Sequence, residues 1–199
     1  MTKPETGELA RKAIHYSSSL IPILYYFYFN RNTVLIVLGV LSTIILLLEI
    51  LRMYSGNVYG LYLRLFGSIL RPHERYRRLT GASYVFWASF LTVLVFPKEI
   101  AVAAMLIASL ADPTAGLIGE RWGTIPLLEG KSLQGWLAFL MAGWIGLAWL
   151  PDFTWYHKIG FVFLGSLVEL LSGRLDDNLT VPLVTGGFIL IWTKWLLVA

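Results

Sequence analysis

The chain has 199 residues, of which 57% are hydrophobic and only 14% are charged, and its net charge is +4. A soluble domain carries about 25% charged and about 45–50% apolar residues, so this composition indicates an integral membrane protein. Eight tryptophans agree with that class, because aromatic residues gather at membrane–water interfaces. The absence of cysteine excludes disulfides, cysteine-bound metals and thiol nucleophiles. The few dispersed basic residues argue against nucleic-acid binding.

The sequence contains seven apolar segments, each near the roughly 20 residues that a helix needs to cross a bilayer. We therefore predict one all-α domain over residues 1–199, a polytopic transmembrane helix bundle of about seven spans. Residues 57–71 mix leucine and aromatic residues with arginines, which predicts an additional interfacial amphipathic helix. The predicted spans lie approximately at 13–29, 33–51, 82–97, 99–119, 133–150, 157–172 and 180–198.

The distribution of charge predicts an orientation. With seven spans, twelve lysines and arginines lie on the side of the N-terminus and four on the other, and an excess of basic residues marks the cytoplasmic side. The C-terminus is then on the opposite side, and the membrane is the plasma membrane in a prokaryote or the endoplasmic reticulum in a eukaryote. Ten of the twelve acidic residues also fall on or near the cytoplasmic half, which favours a polar site there, supplied by a cytosolic substrate.

The first polar stretch is ELARKAIH, residues 8–15. On a helix, Glu8, Arg11, Lys12 and His15 occupy positions i, i+3, i+4 and i+7 and share one face. A collar of charges at the lipid headgroups explains Arg11 and Lys12 and is the favoured interpretation of this stretch alone. It does not explain why Glu8 and His15 lie on the same face.

The stretch ASLADPTAGLIGERWG, residues 108–123, places Asp112 deep in a predicted span. An ionisable residue at that depth costs at least about 2.5–3.5 kcal/mol and is functional by default, although pairing with a buried arginine is the structural alternative. Pro113 frees backbone groups, which is tolerated where a helix lines a polar cavity. Gly116, Gly119 and Gly123 fit either a close approach of backbone to ligand or close helix packing.

The stretch LEGKSLQGW, residues 128–136, contains Gly130, Lys131 and Ser132. It is not a P-loop, because that motif needs a glycine at position 125, which is isoleucine, and a preceding strand. A lysine at the start of a helix can still bind phosphate together with the backbone amides. The alternative is a helix N-cap by Ser132, with Lys131 serving only topology.

The stretch GRLDDNLTVPL, residues 173–183, offers Asp176 and Asp177 as hard oxygen ligands, which suit Mg²⁺ bridged to substrate phosphates. Asn178 can add an amide oxygen or donate to a phosphate, and helix capping is the alternative. Asn178 also begins a glycosylation acceptor pattern, which the predicted cytoplasmic location argues against. Glu169 and Glu49 are further acidic residues in apolar segments, and Arg52 is a possible ion-pair partner of Glu49.

Taken in order, these stretches resemble the CTP-dependent lipid kinase family that includes dolichol kinase, phytol kinase and the yeast-type diacylglycerol kinase. The resemblance covers residues 8 to 183 and is more specific than any single motif. Residues 112–139 are also similar to CDP-diacylglycerol synthases. The matching pieces are ELARKAIH, LTGASYVF (79–86), DPTAGLIGERWG, EGKSLQGWLAF and LDDNLTVPL.

The resemblance implies CTP as co-substrate, Mg²⁺ as cofactor, and transfer of the γ-phosphoryl group to a lipid alcohol: a polyprenol, dolichol or phytol-type alcohol, or diacylglycerol. Asp112, Asp176 and Asp177 would be metal ligands, and Asp112, Lys131, Asp177 and His15 catalytic residues, with the general base left open between His15 and a carboxylate. A homodimer is possible. The implied nucleotide-binding residues are Arg11, Lys12, Gly116, Gly119, Gly123, Gly130, Lys131, Ser132 and Asn178.

Two other functions compete with the kinase. A phosphatidate cytidylyltransferase would also consume CTP, but the second aspartate that such enzymes carry near the C-terminus, shortly after a basic residue, is not evident here. A cation transporter would use Asp112, Glu49 and Glu169 as intramembrane ligands. The clustering of Lys131 and the glycines with the acidic residues suits a triphosphate better than a permeating ion.

Overall fold

The structure is a computed structural model that describes residues 6–70, 72–75, 78–128, 130–172 and 176–196. Several basic residues of the charge count, among them Arg71, Arg77 and Arg174, lie outside these ranges. The described chain is all-α, as predicted. Its helices are α1 (Thr6–Ser17), α2 (Leu20–Phe27), α3 (Arg31–Tyr54), α4 (Gly56–Phe66), α5 (Gly81–Val95), α6 (Lys98–Leu106), α7 (Asp112–Trp122), α8 (Leu133–Ala148), α9 (Trp155–Leu171) and α10 (Asp177–Leu196).

Each of the seven predicted segments lies on described helices. The first is divided between α1 and α2, because the hydroxyls of Ser18 and Ser19 donate to the carbonyls of His15 and Tyr16 and so compete with helical hydrogen bonds. The predicted amphipathic helix corresponds to α4, whose Leu61 and Leu65 are exposed.

The centre of the bundle is one continuous helix, residues Lys98–Trp122, made of α6, a π-helical turn (Ile107–Ala111) and α7. α2, α5, α8 and α10 pack around it. Small side chains let these neighbours approach closely. The π-helical turn ends immediately before Asp112 and Pro113, and such turns are frequent at functional sites. The buried small residues of this helix are Ala101, Ala103, Ala104, Ala108, Ala111 and Ala115.

Two described helices, Arg31–Tyr54 and Lys98–Trp122, are long and apolar enough to cross a membrane by length and composition. They differ in exposure: 22% of the apolar window of the first is buried, against 72% for the second. Helix α3 therefore turns most of its apolar surface outward, whereas the central helix is enclosed by its neighbours.

Basic side chains cap helix ends at the end of the bundle opposite Asp112. Arg31 donates to the carbonyls of Val93 and Leu94 at the end of α5, at 3.1 and 2.6 Å. Lys98 donates to Phe29 after α2 at 3.3 Å, and Lys158 donates to Ala148 of α8 at 3.0 Å. These contacts satisfy carbonyls that have no partner within their own helix.

Candidate functional site

Three carboxylates converge from three helices at one end of the bundle. Asp112 begins α7, Glu169 lies in the last turn of α9, and Asp177 begins α10. One oxygen of each carboxylate lies within 4.8 Å of the other two. We call Asp112, Glu169 and Asp177 the acid cluster. The structure thus brings together two residues predicted as metal ligands and adds Glu169, which the sequence marked only as an acidic residue in an apolar segment.

Lys131 projects into the acid cluster from the loop between α7 and α8. Its Nζ atom lies 2.8 Å from Glu169 Oε1 and 3.8 Å from Asp177 Oδ2, and it also donates to the backbone carbonyl of Glu169. The loop folds back on itself: Lys131 N donates to Leu128 O at 2.8 Å, and Leu127 N donates to Lys131 O at 2.8 Å. Gly130 permits this turn because its φ of 80° is rarely adopted by other residues.

Two of the three carboxylates in the acid cluster are partly exposed. The Asp112 and Asp177 side chains are 20% and 34% exposed, and Lys131 contacts Glu169 and Asp177. Hard oxygen ligands this close together suit a divalent cation such as Mg²⁺. The chemistry and spacing of the donors therefore fit the predicted cofactor.

His15 lies beside the acid cluster, with Nδ1 3.7 Å from Asp112 Oδ2. The neighbouring Tyr16 shares a 2.8 Å hydrogen bond with the hydroxyl of Thr114, which fastens α1 to α7. His15 and Tyr16 thus hold α1 against the start of α7.

Further along the same pair of helices, Lys12 bridges Glu120 of α7 and Glu8 of α1, the latter at 3.1 Å. Arg11 lies 3.8 Å from Glu8. A hydrogen bond with Glu120, aided by Lys12 and Arg11, lowers the pKa of Glu8 from its ordinary value against the smaller, opposing effect of burial. The shared face predicted for ELARKAIH thus contacts α7 through Lys12 and His15.

Asp176 and Asn178 form a local pair at the start of α10. Asp176 Oδ1 accepts hydrogen bonds from the backbone N of Asn178 at 3.0 Å and from its side-chain Nδ2 at 2.7 Å. Asp176 lies outside the acid cluster, and this geometry is that of the helix cap considered for it. Its role as a metal ligand stays a prediction.

Of the three glycines predicted near Asp112, two lie against Ser132 at the start of α8 and one faces a lysine side chain. A side chain at Gly119 would meet Ser132 Oγ at 3.2 Å and Gly135 Cα at 3.6 Å, and one at Gly123 would collide with Ser132. These two positions therefore hold α7 against α8. Gly116 faces the Lys12 side chain, 3.9 Å from where its Cβ would lie. Ser132 caps α8 by accepting from Gly135 N at 3.2 Å.

The structure contains a second polar cluster, of which the sequence predicted only the pair formed by Glu49 and Arg52. Arg52 contacts Glu49 as the sequence suggested, and it also donates to the carbonyls of Glu74 and Arg78 at 3.0 and 2.6 Å. Glu49 Oε1 accepts from the hydroxyl of Thr80 at 2.5 Å and from Ser83 at 3.1 Å. We call Glu49, Arg52, Glu74, Thr80 and Ser83 the buried network.

The buried network gives part of LTGASYVF a structural role. Glu74 Oε1 accepts from Gly81 N at 2.9 Å, which fixes the beginning of α5. A Cβ at Gly81 would lie 3.5 Å from Asn178 Nδ2 and 3.6 Å from Glu74 Oε1, so the network borders the start of α10. Burial and the Glu49 carboxylate raise the pKa of Tyr62, which packs against Arg52.

The fold and site define an apolar, all-α protein with an acidic, lysine-bearing site at one end of its helix bundle. No family model and no solved structure matches the chain. It is 30% identical over 156 residues to CTP-dependent diacylglycerol kinase 1 of Schizosaccharomyces pombe, covering 69% of this chain and 71% of that one. It is 28% identical over 186 residues to an uncharacterised protein of Rickettsia prowazekii, covering 88% and 90% of the two chains.

A third relative is the probable chloroplastic phytol kinase 2 of Oryza sativa, 25% identical over 196 residues, covering 89% of this chain and 64% of that one. The chain belongs to the CTP-dependent lipid kinase family, as its motifs indicated.

Proposed function

We propose that the protein transfers the γ-phosphoryl group of CTP to the hydroxyl of a membrane lipid alcohol and releases CDP. The observation that carries this proposal is the convergence of the acid cluster with Lys131. Relatives named as a CTP-dependent diacylglycerol kinase and a phytol kinase support both the nucleotide and the class of acceptor.

In the proposed reaction, the alcohol oxygen forms a bond to the γ-phosphorus, and the bond from that phosphorus to the bridging oxygen of CDP breaks. Positioning and neutralisation of charge supply most of the catalysis in such transfers. Mg²⁺ held by Asp112, Glu169 and Asp177 would neutralise the triphosphate. Lys131 would donate to phosphate oxygens, and the dipole at the start of α10, where Asp177 lies, would favour a negatively charged triphosphate.

The proton of the alcohol passes to a base, and two kinds of group are placed to receive it. His15 lies 3.7 Å from Asp112 at the edge of the site, and the carboxylates of the acid cluster lie beside it. Arg11 and Lys12 of α1 would contribute positive charge beside α7, and Lys12 already binds the carboxylates of Glu8 and Glu120.

For the membrane, we propose seven crossings with the acid cluster at the cytoplasmic ends of the helices. The outward-facing apolar surface of α3 supports insertion into a membrane. The excess of lysine and arginine on the side of the N-terminus supports the orientation. A tag after Ala199 should then react only with impermeant reagent added from outside intact cells. Labelling that requires permeabilised cells would contradict this orientation.

The reaction is tested with purified protein in lipid nanodiscs, CTP labelled in the γ-phosphate, and a panel of lipid alcohols. We expect label in the lipid, CDP as the released nucleotide, and weaker transfer from ATP. Release of pyrophosphate from CTP and phosphatidate would instead show a cytidylyltransferase. Ion flux in liposomes without consumption of nucleotide would show a transporter.

A further inference from the structure

The loop that carries Lys131 to the acid cluster is a short hairpin, and part of its surface is apolar. We call residues 124–128 and 130–134 the α7–α8 hairpin. Three of its large apolar side chains are about half exposed, and we call them the hairpin tip. They are Ile125, Leu127 and Leu128, with exposed fractions of 50%, 41% and 51%.

Much of the backbone of the α7–α8 hairpin is hydrogen-bonded within the hairpin itself. Leu133 N donates to Ile125 O and Leu127 N donates to Lys131 O, both at 2.8 Å. Pro126 lies between these contacts and has no backbone N–H to satisfy. Backbone groups without a partner are costly in contact with lipid. This backbone is therefore suited to an apolar surrounding.

The α7–α8 hairpin lies at one end of an exposed apolar face of α8. Gln134 precedes Leu137 by three residues, so the two share this face. The side-chain oxygen of Gln134 accepts from Ile125 N at 3.3 Å, so the hairpin tip continues the apolar surface beyond the end of the helix. The exposed apolar residues of the face are Leu137, Met141, Trp144 and Ile145.

The length of α8 gives the hairpin tip a place in the membrane. The helix has 16 residues, which is about 24 Å at the usual rise per residue. The hydrocarbon core of a bilayer is about 30 Å thick. Under the proposed crossings, apolar residues beyond the ends of α8 must therefore cover the remainder.

The neighbouring end of α7 has the composition of a membrane–water boundary. The Arg121 guanidinium lies 5.0 Å from the centre of the Trp122 ring, and Trp122 is exposed. Tryptophan is enriched at the level of the headgroups, and arginine extends its charge from that level toward water. The α7–α8 hairpin thus begins where the bilayer surface is expected.

We propose that the hairpin tip inserts into the lipid interface on the side of the acid cluster and thereby holds Lys131 in place. The two are linked directly, because Leu127 N donates to Lys131 O and Lys131 N donates to Leu128 O. The insertion rests on the proposed crossings, and its effect on the nucleotide rests on the proposed reaction.

The first test measures the surroundings of the hairpin tip. The chain contains no cysteine, so one cysteine at a time can be introduced and labelled with a fluorophore. In nanodiscs that hold one protein each, labels at Leu127→Cys and Leu128→Cys should be quenched by phospholipids with a nitroxide on the upper acyl carbons and protected from aqueous iodide. Met141→Cys on α8 is the lipid-facing reference, and Arg78→Cys, at an exposed residue between helices, is the water-facing one.

The outcomes of this test separate lipid from other ligands. Iodide quenching at the hairpin tip as strong as at Arg78 would overturn the proposal. Protection that needs two proteins in one nanodisc, or that appears only when CTP is added, would identify a second copy or the nucleotide as the ligand and would also overturn it. Protection by lipid in a protein that transfers no phosphoryl group would keep the insertion and reject the proposed reaction.

The second test links the hairpin tip to Lys131. Leu127→Ser combined with Leu128→Ser should raise the KM for CTP, by less than the roughly ten- to a hundredfold expected for Lys131→Met. Adding Lys131→Met to the serine pair should raise the KM no further than Lys131→Met alone, because both changes act on the same lysine. Replacing both leucines with methionine keeps the tip apolar and should retain the wild-type KM. Additive effects, or an unchanged KM in the serine pair, would reject the positioning of Lys131.

Discussion

The acid cluster and the buried network contain the same kinds of side chain but differ in exposure. In the buried network, the side chains of Glu49 and Arg52 are each 1% exposed, and their charges and hydrogen bonds are satisfied by each other and by nearby hydroxyls and carbonyls. In the acid cluster, the Asp112 and Asp177 side chains are 20% and 34% exposed, and their carboxylate oxygens lie close to one of Glu169. The first arrangement stabilises the fold, and the second places three oxygen ligands where a divalent cation can bind.

Depth in an apolar segment is therefore a poor guide to function in this chain. Glu49 is among the most buried acidic residues, yet its contacts tie α3 to the start of α5. What distinguishes Asp112, Glu169 and Asp177 is that their helices bring several like charges to one place. Like charges held close together destabilise a site unless a cation or protons join them.

The largest expected effect comes from breaking the buried network. Arg52→Met leaves the Glu49 carboxylate buried without its main cation, so we expect the free energy of unfolding to fall by about 3–5 kcal/mol. Denaturant unfolding of the protein in detergent measures this. Arg64→Met, at an exposed arginine of α4, should change stability little. Replacing both partners, as in Glu49→Leu with Arg52→Met, should cost less than Arg52→Met alone, and an additive cost would contradict the paired role.

In the acid cluster, we expect a substitution to lower activity rather than stability. Asp177→Asn removes a proposed metal ligand. Phosphoryl transfer should fall by more than the roughly 10–100-fold that follows loss of a residue hydrogen-bonded to a metal ligand. Thermal stability without metal should be kept, because one like charge is removed. Transfer assays measure the expected loss of activity, and thermal unfolding measures the retained stability. Asp152→Asn, whose side chain accepts from Tyr26 elsewhere, is the matched control and should stay active. Full activity of Asp177→Asn would remove Asp177 as a ligand.

Lys131 is expected to affect the nucleotide more than the fold. A hydrogen bond from a charged group contributes about 1.5–3 kcal/mol, so Lys131→Met should raise the KM for CTP by roughly ten- to a hundredfold. Steady-state kinetics over a range of CTP concentrations measures the change. Lys194→Met, at an exposed lysine of α10, is the control. If the KM for CTP does not change, Lys131 serves only to cap α9 and pair with Glu169.

The smallest effect should come from one donor within the buried network. Thr80→Val removes the hydroxyl that donates to Glu49 at 2.5 Å, and we expect a loss of about 1–3 kcal/mol in stability with turnover per folded molecule unchanged. Unfolding and activity are measured on the same preparation. Thr43→Val removes an exposed hydroxyl that bonds only within its helix and should cost less. A large loss of turnover at full stability would place Thr80 in the reaction instead.

Much of this architecture follows from local sequence. The apolar segments predicted the helices because each has the length and composition of a helix core, and the spacing of Glu49 and Arg52 predicted their contact. The family resemblance of the motifs implied that Asp112, Lys131 and Asp177 share a site, and the structure brings the three residues together.

Other features depend on contacts between distant parts of the chain. Glu169 precedes Asp177 by eight residues on a different helix, and only the packing of α9 against α10 brings the two carboxylates together. Asp176 and Asp177 are neighbours in sequence, but successive residues at a helix start point about 100° apart, so one joins the cluster and the other bonds to Asn178. The buried network could not be predicted, because it depends on contacts of Glu74, Arg78 and Thr80 with residues of α3 more than 20 positions earlier in the chain.

The helix-capping cations at the far end of the bundle affect how its orientation could be re-engineered. Three basic residues there bind carbonyls at helix ends: Arg31 at the end of α5, Lys98 after α2, and Lys158 at the end of α8. Deleting them would therefore weaken the fold as well as alter the balance of charge. Lys194 is exposed near the end of α10, so a change of charge there should cost less stability. Under the proposed orientation, lysines added near Lys194 should favour the reverse insertion while the three capping residues stay in place.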